Sequence, residues 1–320
     1  MKFNPILIVA GEPNSVFLEI FFKSLKSQKI KSPLILISSK NILTKQMRKL
    51  KFQKKIKLLN HKNFHLQKLD NKTINLIDIK FSQKKAFEKI SKKSNKFIEK
   101  SFQIAFEIIK KRKINKLING PVSKKHFLGG KYLGITEYIS QKFIKKQTCM
   151  LIYNRELSVS PVTTHLPLKL VTKNINRKLI SEKINLINNF YKKNLGFFPK
   201  FAVLGLNPHC ESTHKFNEDE KIIKPLINNL KKKYKISGPI SADTIFIKNI
   251  RNKFDVILGM YHDQVLAPMK TIYEYDAINI TLGLPFIRIS PDHGPNEKML
   301  GKNISNPLSL IRAIKFLDKN

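Results

Sequence analysis

The sequence predicts an α/β fold with a largely parallel sheet. Short apolar runs rich in Ile, Val and Leu recur along its whole length, and amphipathic stretches of helical spacing separate several of them. Runs that are apolar on both faces suit strands covered by helices on both sides. A length of 320 residues allows a substantial core, in two domains or one large one.

Taken in order, residues 5–10 read as a buried strand ending in the turn Gly11-Glu12-Pro13-Asn14. A helical stretch to about residue 27 precedes a second strand at 33–38, with weaker candidates at 56–59 and 74–77. Residues 83–112 carry Phe87, Ile90, Phe97, Ile98, Phe102, Ala105, Phe106 and Ile109 at helical spacing with lysines between. Further strands are expected at 116–119, 149–153, 157–164, 201–206, 254–260, 277–282 and 286–290, and helices at 178–192, 218–233 and 306–318. The chain has neither an internal repeat nor a long Gly/Ser/Pro linker.

The formal charge of +39 invites a nucleic-acid reading, yet only seven of the 61 basic residues are arginine, the side chain suited to bidentate phosphate and base recognition. The lysines are spread from residue 2 to residue 319, and no basic motif is interleaved with aromatics, so they read as solvated surface with a general attraction for anionic metabolites. Two cysteines, Cys149 and Cys210, are too few for a disulfide framework. The apolar run at 5–10 is too short for a signal peptide, and no stretch approaches the ~20 apolar residues of a membrane span. The expectation is a cytoplasmic protein with neither a specific nucleic acid nor a membrane as partner.

Three of the eight histidines stand on one template, each directly after an apolar strand: Val159-Ser-Pro-Val-Thr-Thr164 leads into His165, Val203-Leu-Gly-Leu-Asn-Pro208 into His209, and Val256-Ile-Leu-Gly-Met-Tyr261 into His262. The carboxyl ends of strands line the ligand crevice in open α/β sheets, so three imidazoles delivered there can meet at one metal with a position left open. A single strand-end histidine is ordinarily a hydrogen-bonded loop residue; three in equivalent positions make the metal reading competitive. Imidazole ligands suit Zn, Co, Mn or Fe better than Mg. His293 also follows a strand, whereas His61, His65, His126 and His214 lie in polar, lysine-rich contexts and read as surface. Asp243, Asp263, Lys270, Asn279, Arg288 and Asp292 lie around the same loops; Lys270 and Arg288 are candidates to clamp a phosphate or carboxylate.

Ordered motifs extend these segments almost end to end: Gly11-Glu-Pro13, Asn119-Gly-Pro-Val-Ser-Lys124, Gly134-Ile-Thr-Glu137, Val162-Thr-Thr-His-Leu-Pro-Leu168 and Gly205-Leu-Asn-Pro-His209. They continue with Gly238-Pro-Ile-Ser-Ala-Asp-Thr244, Met260-Tyr-His-Asp-Gln264, Asn279-Ile-Thr-Leu-Gly-Leu-Pro285 and Asp292-His-Gly294. With these the chain resembles the 4-hydroxythreonine-4-phosphate dehydrogenase family of vitamin B6 synthesis. The resemblance implies two α/β/α domains with a cleft between them, like isocitrate and isopropylmalate dehydrogenases. Residues 1–130 plus 290–320 would form the cofactor domain, and 131–289 the metal, substrate and dimer domain. It implies a homodimer whose metal site draws ligands from both subunits. His165, His209 and His262 become the metal ligands; Ile135, Thr136, Lys270, Asn279 and Arg288 become substrate contacts; and Lys270 with Asp243 becomes catalytic. There is no Gly-x-Gly-x-x-Gly after a strand; the resemblance places NAD, with NADP as the alternative, on a loop holding His293, Gly294, Gly301 and Asn306. The implied reaction oxidises the secondary hydroxyl of 4-phosphooxy-threonine, a small phosphorylated hydroxy-amino acid, and decarboxylation of the product then gives 3-amino-2-oxopropyl phosphate.

Four places depart from the family pattern. Asn14-Ser15-Val16-Phe17 stands where the first loop carries two glycines, Ile135 where a histidine contacts substrate, Lys298 where the cofactor loop carries an acid, and Asn303 where it carries a second glycine. Two alternatives follow: a paralogous dehydrogenase of 4-phosphorylated threonate or erythronate, and a catalytically weakened basic binding protein on the same scaffold. Persistence of Lys270, Asn279 and Arg288 favours the enzyme of vitamin B6 synthesis.

Overall fold

The computed structural model describes residues 3–27, 29–64, 67–112, 114–132, 134–143, 148–213, 216–291 and 293–318. The chain forms two compact units, Met1–Phe143 with Pro285–Asn320, and Ile144–Leu284. Their exchange points lie at 143/144 and 284/285, where the sequence had suggested 130/131 and 289/290. Aromatic packing explains the first shift. Tyr138 meets Phe102 at 5.7 Å between ring centroids, and Phe143 meets Phe106 at 4.9 Å and Phe286 at 4.8 Å. Ile135, Thr136 and Arg288 therefore belong to the first unit.

Elements are numbered in chain order. The first unit holds β1 (Ile6–Val9), β2 (Leu34–Ser38), β3 (Ile56–Leu58), β4 (Ile74–Asp78), β5 (Lys116–Asn119) and β12 (Ile287–Pro291) in the order β3-β4-β2-β1-β5-β12. Every pairing in this series is parallel. Its helices are α1 (Phe17–Ser27), α2 (Lys40–Lys49), α3 (Asn95–Arg112), α4 (Ile135–Phe143) and α10 (Leu308–Leu317). Central strands read as unbroken apolar runs because both faces are covered: all four residues of β1 are buried.

The second unit holds β6 (Cys149–Tyr153), β7 (Ser158–Pro161), β8 (Phe201–Leu204), β9 (Ile236–Ile240), β10 (Val256–Gly259) and β11 (Ile278–Leu282), ordered β11-β6-β7-β10-β8-β9. The β11–β6 and β6–β7 pairs are antiparallel, and the other three are parallel. Its helices are α5 (Val171–Asn174), α6 (Arg177–Leu195), α7 (Lys224–Leu230), α8 (Lys248–Arg251) and α9 (His262–Tyr273). One core cluster packs Val159, Leu204 and Ile257 of the sheet against Val265 and Met269 of α9. Among the described residues no helix is long and apolar enough to cross a membrane.

The helix expected over 83–112 begins only at Asn95. Residues 83–88 are held in turns instead: Glu88 Oε1 accepts from the backbone N–H groups of Lys84 (2.8 Å) and Lys85 (3.2 Å), and Lys45 Nζ donates to the carbonyls of Gln83 and Lys84. The first loop explains its missing glycines. None of residues 12–19 has a positive φ, and Asn14 uses its side chain as a brace: Oδ1 accepts from Gln83 Nε2 (3.0 Å) and from the Glu88 backbone (2.8 Å). Glycine is required one step earlier. Gly11 sits at φ +75°, and a Cβ there would lie 2.4 Å from the Pro121 carbonyl. A Cβ on Gly120 would fall 2.2 Å from the Ala10 carbonyl and 2.7 Å from the Phe17 ring, in a wholly buried layer. Gly120→Ala should therefore lower the unfolding free energy by about 1–3 kcal/mol in urea titration, the usual range for overpacking a dense core.

Candidate active site

Parallel pairing in the order β7-β10-β8 brings the carboxyl ends of three strands side by side, and each end carries one of the template histidines. Hydrogen bonds join the three ends. Thr163 donates to the Met260 carbonyl through both Oγ1 (2.7 Å) and its backbone N–H (3.1 Å). Gln264 spans the next gap, accepting from Met260 N (2.7 Å) and donating to the Gly205 carbonyl (2.8 Å). The His165 and His262 rings lie with centroids 5.9 Å apart, both half-buried. His262 begins α9, and its Nδ1 lies 2.7 Å from Asp263 Oδ1, an arrangement that leaves Nε2 to face a ligand.

His209 is exposed on the short turn Pro208–Cys210, where it and Cys210 both adopt left-handed backbone, at φ 53° and 62°. Two consecutive non-glycine residues in that region carry strain of roughly 1–2 kcal/mol each. Asp219 holds the turn. It is fully buried, and its carboxylate accepts from Leu206 N (2.7 Å), Asn207 N (3.0 Å) and Asn207 Nδ2 (2.9 Å). Burial, with Asp219 and Asp243 following, pushes the Cys210 thiol up. Asp243 is thus electrostatically close to this turn, although its own side chain is exposed.

The chemistry of the donors fits a divalent ion: imidazoles on neighbouring strand ends, one backed by a carboxylate. Two of the three expected ligands face each other, whereas among the described residues no group of three or more His, Cys, Asp or Glu side chains gathers at one point. Lys270 is exposed on the last turn of α9. Asn279 is half-buried on β11, and its Oδ1 is a buried acceptor with no hydrogen-bond partner among the described residues.

In the first unit Arg288 lies fully buried on β12. Its Nε donates to Asn119 Oδ1 (2.7 Å) and its Nη1 to Thr136 Oγ1 (3.2 Å). Burial lowers its pKa to about 10, with Glu137 acting the other way, so the guanidinium stays charged at neutral pH. Thr136 is buried, and Ile135, the first residue of α4, is half-buried. Asn119 and Asp219 are positioning residues that the motifs contain or adjoin but do not distinguish; only the structure shows the bonds they make.

The loop expected to hold the dinucleotide is anchored at both ends. Val16 N donates to the Pro295 carbonyl (3.1 Å), and Lys23 Nζ donates to the carbonyls of Asn303 (2.9 Å) and Ser305 (2.8 Å). His293 is half-buried with Nδ1 2.9 Å from the Gly294 carbonyl, and Gly301 adopts φ +70°. Asn306 Oδ1 accepts from Leu308 N (2.9 Å), an end-of-helix task at α10. Asn303 keeps the left-handed backbone of the expected glycine, at φ 59°, which asparagine tolerates better than most residues. Asp292, His65 and His214 lie outside the described residues.

In fold the chain is of the class found in α/β dehydrogenases. A terephthalate 1,2-cis-dihydrodiol dehydrogenase from Burkholderia xenovorans LB400 superposes with TM-score 0.63 at 17% identity, over 98% of this chain and 97% of the other, a likeness of fold alone. A 4-hydroxythreonine-4-phosphate dehydrogenase from Klebsiella pneumoniae superposes with TM-score 0.83 at 25% identity, over 98% of this chain and 97% of that one. In sequence, the 4-hydroxythreonine-4-phosphate dehydrogenase of Sulfurihydrogenibium sp. (strain YO3AOP1) is 35% identical over 317 residues, covering 97% of this chain and 96% of its relative. The profile of the pyridoxal phosphate biosynthetic protein PdxA matches residues 29–317, and the chain belongs to that family.

The Asp219 brace can be tested directly. Asp219→Ala leaves the Leu206 and Asn207 amides without their acceptor, so their hydrogen exchange should quicken about tenfold or more, matching the cost of losing a hydrogen bond to a charged group. The Met260 amide, held by Gln264, should keep its protection.

Proposed function

We propose that this chain is a 4-hydroxythreonine-4-phosphate dehydrogenase: it oxidises the secondary hydroxyl of 4-phosphooxy-L-threonine, and the resulting 2-amino-3-oxo acid loses CO2 to give 3-amino-2-oxopropyl phosphate. The observation that carries this reading is the near full-length match at 35% identity to a relative named 4-hydroxythreonine-4-phosphate dehydrogenase, a resemblance that makes Thr136, Lys270, Asn279 and Arg288 the substrate contacts. When bound, a divalent ion (Zn, Co or Mn in preference to Mg) supplies Lewis acidity to the substrate hydroxyl, and a nicotinamide dinucleotide accepts the hydride.

His165, His209 and His262 would hold the ion, and the loop with His293, Gly294 and Gly301 the dinucleotide. The facing pair His165 and His262 supports a partial ligand set that a homodimer with a shared active site would complete. Arg288, fixed edge-on by Asn119 and Thr136, presents a charged fork of set orientation to the substrate's phosphate or carboxylate. Asn279 offers its buried carbonyl oxygen to a substrate donor. Lys270, exposed on α9, would supply positive charge to the substrate anion, and Lys270 with Asp243 would move the proton. Ile135 beside Thr136 favours one second reading, a dehydrogenase of 4-phosphorylated threonate or erythronate, because an apolar side chain there changes the polar contacts open to the substrate.

Reduced dinucleotide should form from 4-phosphooxy-L-threonine, cease with a chelator and return with added Zn, Co, Mn or Mg; no turnover with any metal would sink the proposal. A higher kcat/KM on the threonate or erythronate would favour the second reading. Arg288→Lys, which keeps the charge and removes the fork, should lower kcat/KM by roughly tenfold to a hundredfold, as expected when a charge-assisted hydrogen bond is lost.

A further inference from the structure

Three loops of the second unit meet at the edge where β8, β9 and β10 begin, opposite the strand ends that lead into His209 and His262. Parallel register sets Phe201 of β8 level with Ile236 of β9 and Val256 of β10, so residues 196–200, 231–235 and 252–255 lie side by side. Backbone bonds tie them together: Phe201 N donates to the Lys235 carbonyl (2.7 Å) and Asp255 N to the Lys200 carbonyl (2.9 Å).

The first loop leaves two adjacent phenylalanines in water. Phe197 and Phe198, 44% and 50% exposed, follow Gly196, whose left-handed backbone (φ 82°) closes α6. Single apolar side chains on a surface are ordinary; a contiguous aromatic pair marks a contact surface. Phe197 meets Tyr191 edge-on at 5.3 Å between centroids, and the Lys192 ammonium stands over the Phe198 ring, 5.3 Å from its centroid. Exposed lysines surround the pair: Lys192, Lys193 and Lys200 from the same segment, Lys231–Lys233 and Lys235 from the second loop, and Lys253 from the third. Asp255 is the only acid on the three loops, and its Oδ2 accepts from Lys200 N (2.7 Å). Glu156, on the neighbouring turn before β7, accepts from the Tyr273 hydroxyl (3.4 Å).

The loops thus assemble an aromatic and basic surface that no single stretch of sequence displays. An anionic lipid surface matches both properties at once. Ammonium groups lie at the headgroup phosphates, each adding to the attraction, while apolar rings enter the acyl boundary. Single-stranded nucleic acid fits less well, because bases stack on open ring faces along a groove, and Lys192 already covers one face of Phe198. Lysine in place of arginine points the same way.

We propose that this edge docks the protein reversibly on anionic lipid, with Phe197 and Phe198 inserted at the acyl boundary and the lysines of the three loops on the headgroups. The full chain should co-sediment with phosphatidylserine vesicles but not with phosphatidylcholine vesicles, and added salt should release it. Phe197→Ser combined with Phe198→Ser should weaken the binding about tenfold or more, the size expected when apolar area is no longer buried. The chain has no tryptophan, so Phe198→Trp supplies a single reporter whose emission should shift to the blue on phosphatidylserine vesicles. Unshifted emission, or binding that the paired serine substitution leaves unchanged, overturns the proposal and reduces the attraction to the general field of a +39 chain. Equal binding to phosphatidylcholine overturns it as well. So does tighter binding to poly(U) that the same substitutions abolish, which would give the edge to single-stranded RNA.

Discussion

Parallel pairing of β7, β10 and β8 is the constraint on which the candidate metal site depends. Parallel neighbours end at the same edge of a sheet, so residues that follow each strand at the same offset are delivered together. His165 and His262, four and three residues past β7 and β10, are brought together in this way, and the hydrogen bonds of Thr163 and Gln264 keep the strand ends from parting. Beneath them the apolar packing of Val159, Leu204 and Ile257 on α9 fixes the strands themselves. The backbone strain at His209 and Cys210 persists because the buried Asp219 secures the residues just before them.

The first unit holds its charge differently. A guanidinium taken wholly out of water is costly unless hydrogen-bonded, and Arg288 answers that with Asn119 and Thr136. Burial lowers its proton affinity yet leaves it cationic near neutrality, a state suited to gripping an anion. Around the loop 293–306 the same unit relies on backbone carbonyls met by Lys23 and on a glycine at 301. Of the chain's many lysines, Lys23 and Lys45 are spent on structure, tying distant loops together.

Strands that are apolar on both faces were legible as continuous runs, and eleven of the twelve stand within a residue or two of where periodicity puts at least one end. The strand β9 was not, because its Ile-Ser-Gly-Pro-Ile sequence has neither alternation nor an apolar run; its place at the sheet edge is what tolerates a proline. Helix α9 was hidden for a related reason, since Pro268 interrupts its pattern. Phe87 shares the spacing of the α3 aromatics, but the side chains of Asn14, Lys45 and Glu88 bind that segment in turns, and such side-chain bonds leave no periodic trace. In the site, the strand-end histidines were visible as a repeated template, whereas Asp219, Gln264 and Asn119 were ordinary polar residues until their partners were known. The lost glycines of the first loop looked damaging in sequence; the backbone there needs no positive φ.

The two units differ in how they can be assembled. The second is one unbroken stretch of chain, Ile144–Leu284, while the first needs β12 and α10 from beyond it. During synthesis the second unit has all its strands available while β5 still lacks the neighbour that carries Arg288. The edge of β5 then stays open, and the buried bonds of Arg288 to Asn119 and Thr136 form only once β12 has followed.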